Sequence, residues 1–307
     1  MHARIRPSAR RRHTDLPSAL FLTAVLTNTI AIAIATTSNT WLSPLLALPQ
    51  AMLILGCQEA KHLGVHGTFI GNRYLNDAIG IVFAALFGVN FVAYRYFHLA
   101  HHHATCTEAD PEGKLYALSW RTRWIWLLAP LELTWVAWHI GRNGWPMVPP
   151  TKRRVRNAAS VWMFTFAALV ALGLNYAPRT IAFAYLIPLA LFSWFDFILT
   201  QAEHYGAAIT PASQRHERGS VALDIVLPLW IGWMTLHRTL HRVHHREPAL
   251  PWFQAPRRLN EDPTATPIAY LTFVRRWLAG GPRLWLTEGG TPAATNTVRR
   301  SRSEGCA

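Results

Sequence analysis

Histidines recur in this chain at spacings that suit a metal. His98, His101 and His102 stand at i, i+3 and i+4, so on a helix three imidazoles leave one face together. His241, His244 and His245 repeat that spacing, and His62 and His66 add an i, i+4 pair. His204, inside Gln201-Ala-Glu-His-Tyr-Gly206, adds a single ring. With His237, one turn before the last box, these stretches hold eleven of the fifteen histidines, a concentration that a solvated face does not explain. His2, His13, His139 and His216 stand apart and read as ordinary surface or interfacial residues. Neutral imidazole is the commonest protein ligand for metals, and this many rings exceed what one ion accepts, so two ions are implied. The lack of thiolates in the boxes argues against iron–sulfur and Cys-type zinc sites, and haem needs only one or two axial histidines. Nitrogen donors suit zinc, copper, iron or nickel alike, so spacing by itself leaves the metal open.

Glu59, Asp110, Glu112, Glu203 and Glu247 lie close to the boxes in sequence. Some of them are expected to fix imidazole tautomers through the nitrogen that does not bind metal, and each taken singly reads equally well as a solvated loop charge. Asp110, Glu203 and His237 are the candidates to stand behind the ligands. On a helix His103 lies ~100° around from His102 and should point away, whereas His237 shares the face of His241 about 6 Å along the axis.

The elements that must hold these residues belong to a membrane. Of 307 residues 51% are hydrophobic, 14 are Trp and only 15% are charged. The net charge of +14 is mostly arginine, and the arginines flank apolar runs as the positive-inside rule requires, which disfavours nucleic acid as the partner. Cys57, Cys106 and Cys306 form neither a CxxC nor an even disulfide set.

Residues 1–16 form a basic cytoplasmic tail, and a signal anchor fits Arg10-Arg11-Arg12 and the following apolar run better than a twin-arginine signal. Leu16 to Thr37 is long enough to span, and Trp41 to Cys57 returns as a second run that delivers His62 to the cytoplasmic side. Ile79 to Val89 is too short to cross, and boxes that share metals must lie on one face, so this stretch reads as interfacial or re-entrant. Trp124 to Ile140, rich in Trp and interrupted by Glu132, and Val221 to Leu236 read as interfacial too. Ala158 to Leu174 and Thr180 to Leu199 make a second hairpin. From about Ala279 a Gly-, Thr-, Arg- and Ser-rich tail is expected to be disordered. The expected fold is an all-α integral membrane protein of about four transmembrane helices in two hairpins, with interfacial helices and a cytoplasmic histidine-rich cap. Its domains would be a tail at 1–16, a membrane domain at 17–278 and a tail at 279–307.

HxxxH, HxxHH and HxxHH in this order, between two membrane hairpins, resemble the membrane fatty acid desaturase and hydroxylase superfamily over roughly residues 17 to 278. His98 to Glu112 (HLAHHHATCTEADPE) is similar to the family's second box running into Asp-Pro-Glu. His244 to Phe253 (HHREPALPWF) is similar to the desaturase form of the third box, and QAEHYG resembles the additional histidine element before it. The resemblance implies two non-haem irons, O2 as co-substrate and an oxidation that introduces a double bond into an acyl chain. By position its ligands would be His62, His66, His98, His101, His102, His204, His241, His244 and His245. The substrate would be an acyl-CoA, acyl carrier protein or phospholipid chain, with the active site on the cytoplasmic face. No His-Pro-Gly-Gly of a fused cytochrome b5 appears, so electrons would come from a separate NAD(P)H-linked ferredoxin, rubredoxin or cytochrome b5-type carrier. The three interfacial segments would wall an acyl tunnel.

Within the superfamily the alternative is a lipid, alkane or carotenoid hydroxylase or ketolase, and repeated desaturation to an alkyne is a further variant. The trailing Pro-x-Leu-Pro-aromatic of the third box favours the desaturase. A metal transporter is a different class; it would place ionisable residues inside the spans, and residues 17–37 and 181–195 contain none.

Overall fold

The computed structural model describes residues 14–114 and 125–281. The basic segment before residue 14 and the tail after residue 281 lie outside the described residues, so the readings made for them stand as sequence readings.

Helix α1 (Leu16–Thr37) has 22 residues without a charge, about 33 Å of helix, enough for a bilayer core. Thr23, Thr29 and Thr37 donate their hydroxyls to carbonyls four residues back, which keeps their polarity within the helix. Helix α2 (Leu42–His66) packs against α1 through an amide clasp. Asn28 Nδ2 donates to Gln50 Oε1 at 2.6 Å, and Gln50 Nε2 donates to Thr29 Oγ1 at 3.0 Å. Gly67, at φ +71°, closes α2 one residue past His66, in the left-handed conformation that glycine adopts without strain.

Helices α3 (Arg73–Ala85) and α4 (Phe91–Ala104) each start at an asparagine. Asn72 Oδ1 accepts from Tyr74 N and Leu75 N, and Asn90 Oδ1 from Val92 N and Ala93 N, satisfying orphan donors at both starts. Gly80 lets the Phe91 ring close in, since a Cβ there would sit 2.4 Å from it. At 13 residues, about 20 Å, α3 is too short to cross. The stretch 79–89 is therefore the second half of a short helix and the turn after it.

Helix α5 (Ile125–Gly144) packs on α4 and on α8, described next. The side chains of residues 125–130 and of Glu132 lie outside the described residues. Helix α6 (Arg153–Tyr176) is followed by α7 (Pro178–Ile181), a π-helical turn (Ala182–Leu186) and α8 (Ile187–Glu203), which run as one rod. Among the described residues three helical stretches are long and apolar enough to cross a membrane: Leu16–Thr37, Pro150–Tyr176 and Pro178–Glu203. The run expected to be a further span at Trp41–Cys57 is not among them. Its helix α2 has the length, but Gln50, Gln58 and Glu59 dilute the apolar run.

The last third is less helical than its composition suggests. Strand β1 (Ile225–Val226) pairs in parallel with β2 (Ile268–Ala269), Ile225 opposite Ile268 and Val226 opposite Ala269. Between them come α9 (Leu229–Met234), α10 (His241–Arg246) and α11 (Ala255–Glu261), and α12 (Tyr270–Gly280) follows β2. Two readings need correction here. Val221–Leu236 is not one interfacial stretch, because Pro228, extended at ψ 141°, divides β1 from α9. The fold is also mostly helical rather than all helical. Phe21, Leu55, Phe91, Phe97 and Phe192 are buried in a core that gathers around α2.

Candidate metal centre

The last two turns of α2 place Glu59, His62 and His66 at i, i+3 and i+7, on one face. The end of α4 carries His98, His101 and His102, His204 terminates α8, and the six-residue α10 is almost wholly box. Their ring nitrogens collect in two groups. His62, His66, His98, His102 and His244 form one, and His101, His204, His241 and His245 the other, all ligand atoms within each group lying within 4.8 Å of one another. Each HxxHH box serves both. The i, i+4 pair of a box goes to one group and the intervening histidine, about 100° round the helix, goes to the other.

The nitrogens meet at ligand–ligand distances. Nε2···Nε2 separations are 2.9 Å for His62–His98, 3.1 Å for His102–His244 and 3.0 Å for His241–His245. They are 3.3 Å for His204–His241 and 3.4 Å for His101–His245. For a metal–nitrogen bond of about 2.1 Å, neighbouring ligands stand about 3.0 Å apart at 90° and about 3.4 Å apart at the tetrahedral angle. These five pairs therefore have the spacing of neighbouring ligands in a coordination sphere.

Hydrogen bonds from the other nitrogen explain why lone pairs face inward. His62 Nδ1 lies 3.0 Å from Glu59, His98 Nδ1 2.9 Å from Glu112 and His101 Nδ1 2.9 Å from Asp110. His204 Nδ1 donates to the Val221 carbonyl at 3.0 Å. A ring that spends its N–H at Nδ1 presents an unprotonated Nε2, and two such lone pairs 2.9 Å apart repel unless a cation sits between them. Burial, reinforced by neighbouring imidazoles, holds His98, His241, His244 and His245 well below the ordinary histidine range. It takes His102 down to about 2 and His204 to about 4. His101 differs. Burial works against its charge, but Asp110 and then Glu112 outweigh that and raise it to about 9. His66 Nε2, within its group, has no hydrogen-bond partner among the described residues. Convergent, buried or partly buried imidazoles, all but His101 disfavouring the charged form and several backed by carboxylates, fit a pair of metal ions.

A family model described as fatty acid desaturase matches residues 39–277, more than three quarters of the chain. The chain belongs to the fatty acid desaturase family. No curated protein matches it.

Family membership suggests an oxidoreductase of the fatty acid desaturase superfamily, and the other residues singled out from sequence can be placed around the two histidine groups. His103 is exposed and belongs to neither group, with Arg215 3.3 Å from its Nδ1 on the wall of a polar cavity. Asp110 is buried and also accepts from Cys106 N and Glu112 N. Glu203 faces Arg238 Nε at 2.9 Å rather than a histidine, and Glu247 pairs with Arg258 at the surface. His237 departs from its expected place on the face of His241. The helix begins only at His241, and Leu236 and His237 adopt left-handed backbone (φ 52° and 54°), which turns the His237 ring onto Trp252.

Spacing did not reveal the charged layer beneath the centre. Arg238 is buried among Asp196, Glu203 and Thr200. Asp196 offered the only signal: an acid just past the apolar run 181–195. Two cavities flank the histidines. One, about 460 Å³, is polar; His66, His102 and His245 lie on its inner wall and Arg215 and Arg218 on its outer wall. The other, about 80 Å³, lies between α2, α4, α5 and α8 and reaches His62, His98 and His241. Segments 79–89 and 124–140 give it Phe87, Val89, Leu133, Val136 and Ile140, whereas 221–236 contributes nothing to its wall.

Proposed function

We propose that this chain is a membrane fatty acyl desaturase: it uses O2 and two electrons to convert a –CH2–CH2– unit of an acyl chain to –CH=CH–, with two protons taken up and two waters formed. The observation that carries this reading is the two groups of convergent imidazoles, with neighbouring pairs at 2.9–3.4 Å, within a chain of this family. On it, His62, His66, His98, His102 and His244 hold one iron, and His101, His204, His241 and His245 hold the other. When bound, the irons supply the O2-derived oxidant that removes hydrogen from an unactivated C–H bond.

The protein's own residues do the rest. Glu59, Glu112 and Asp110 orient the ligating rings and keep Nε2 free. Phe87, Val89, Leu133 and Phe192 exclude water on the membrane side, which protects a strong oxidant from side reactions. The polar cavity on the opposite side is the approach for a separate electron carrier of ferredoxin, rubredoxin or cytochrome b5 type. In this reading α2 is the fourth span, and all four histidine elements face the cytoplasm with both tails. Gas chromatography with mass spectrometry of lipids from cells expressing the chain tests the reaction. New unsaturated acyl products, absent with His245→Ala, are expected. Oxygenated products alone would replace desaturation by hydroxylation.

A further inference from the structure

The smaller cavity is not the plain hydrocarbon slot that a mid-chain methylene needs. Lys61 lies on its wall, next in sequence to His62, and only 2% of it is exposed. Its ammonium donates to Gln58 Oε1 at 2.9 Å and sits 3.9 Å over the Tyr94 ring. Among the described residues no carboxylate comes within ion-pair distance of it, Asp196, Glu112 and Glu59 of the same cavity lying farther off, and of the ammonium's three donors one is spent on Gln58. Gln58 and Tyr94 also line this cavity, and Gln58 Nε2 and the Tyr94 hydroxyl make no hydrogen bond among the described residues. Tyr94 stacks on His98 (centroids 5.5 Å, planes 25° apart), so this corner adjoins the five-histidine group.

The acceptors around the cavity are, by contrast, committed. Glu59 faces His62, Glu112 faces His98, and Asp196 and Glu203 both bind Arg238. One corner thus offers unspent donors and a positive charge without a free acceptor, while the opposite wall is apolar through Leu133, Val136, Ile140 and Phe192. Such a pocket complements an oxyanion joined to a short hydrocarbon.

We propose that Lys61, with Gln58 and Tyr94, binds the free carboxylate of the substrate inside this cavity, so that the substrate is a free carboxylic acid oxidised close to its acid group. This rests on the reading of the two histidine groups as the reaction centre. Lys61 is then a positioning and specificity-determining residue, and the oxidised carbon is counted from the anchored carboxylate.

The test is calorimetric titration of the full-length, iron-loaded protein in mild detergent, with hexanoate, methyl hexanoate and hexanol as probes. Iron content is measured on each sample. Hexanoate is expected to bind at least about tenfold more tightly than either neutral probe, the scale of one charge-assisted contact. Lys61→Met should remove that preference, Lys61→Arg should keep part of it, and Tyr94→Phe should lower hexanoate affinity a few-fold, all with wild-type iron content. Equal binding of hexanoate and its methyl ester by the wild-type protein, or no saturable hexanoate binding, overturns the proposal without need of any variant. So does a Lys61→Met protein that keeps the preference. A wild-type protein that takes up no iron contradicts the di-iron reading instead, which separates the two failures.

Discussion

The two histidine groups draw on the same helices yet differ in surroundings. The five-membered group includes His66, His102 and His244, which are only partly buried, and the polar cavity opens onto its His66 and His102. Every member of the four-membered group is buried, and that group has His101 clamped by Asp110 and His204 by a backbone carbonyl. One group thus has a ring to spare and three partly buried rings, while the other has neither, although His245 too lines the polar cavity. Redundancy in one group and fuller burial in the other mean that, if each holds an ion as proposed, equal chemical changes should have unequal effects.

The largest effect is expected within the enclosed group. His245→Ala or His241→Ala should bring activity to background and lower iron to no more than one per chain, measured by metal analysis of purified protein. His204→Ala should behave alike although it stands alone in sequence; a His204→Ala protein with full iron and activity would move it out of the ligand set. Asp110→Asn comes next. It leaves the ring of His101 in place but exchanges a charged carboxylate with two acceptor oxygens for a neutral amide with one, and metal affinity should fall by about 10–100-fold. A chelator competition assay reads that directly.

His66→Ala sharpens the comparison from the other side. Four rings remain in its group, as many as the enclosed group ever has, so its affinity loss should be smaller than that of His245→Ala in the same assay. Equal losses would mean that ring number does not distinguish the two. The smallest effect is expected for His103→Ala. Its ring is exposed and outside both groups, and the substitution should leave iron and turnover unchanged, with stability within about 0.5 kcal/mol by denaturant titration.

The same contrast marks what the sequence could tell. Ring convergence was legible because i, i+3 and i+4 are local consequences of helix geometry, and so was the apolar helix pair around 150–203. Asp110 was legible for a similar reason, nine residues from its ring. The Val221 carbonyl behind His204, and Arg238 beneath the centre, depend on chain returns of 17 to 42 residues that no local period encodes. His237 misled because its distance from His241 suits a helix, while the backbone there is left-handed at two consecutive non-glycine residues. The membrane count stayed open at α2, where one helix serves both as an apolar rod and as carrier of Glu59, Lys61, His62 and His66.

Metal analysis of the wild-type chain, purified in mild detergent under reducing, iron-replete conditions, tests the central claim most directly. The account predicts one iron for each histidine group, two per chain, lost together with activity on chelation. Stoichiometric zinc without iron, in protein that remains active, would contradict it.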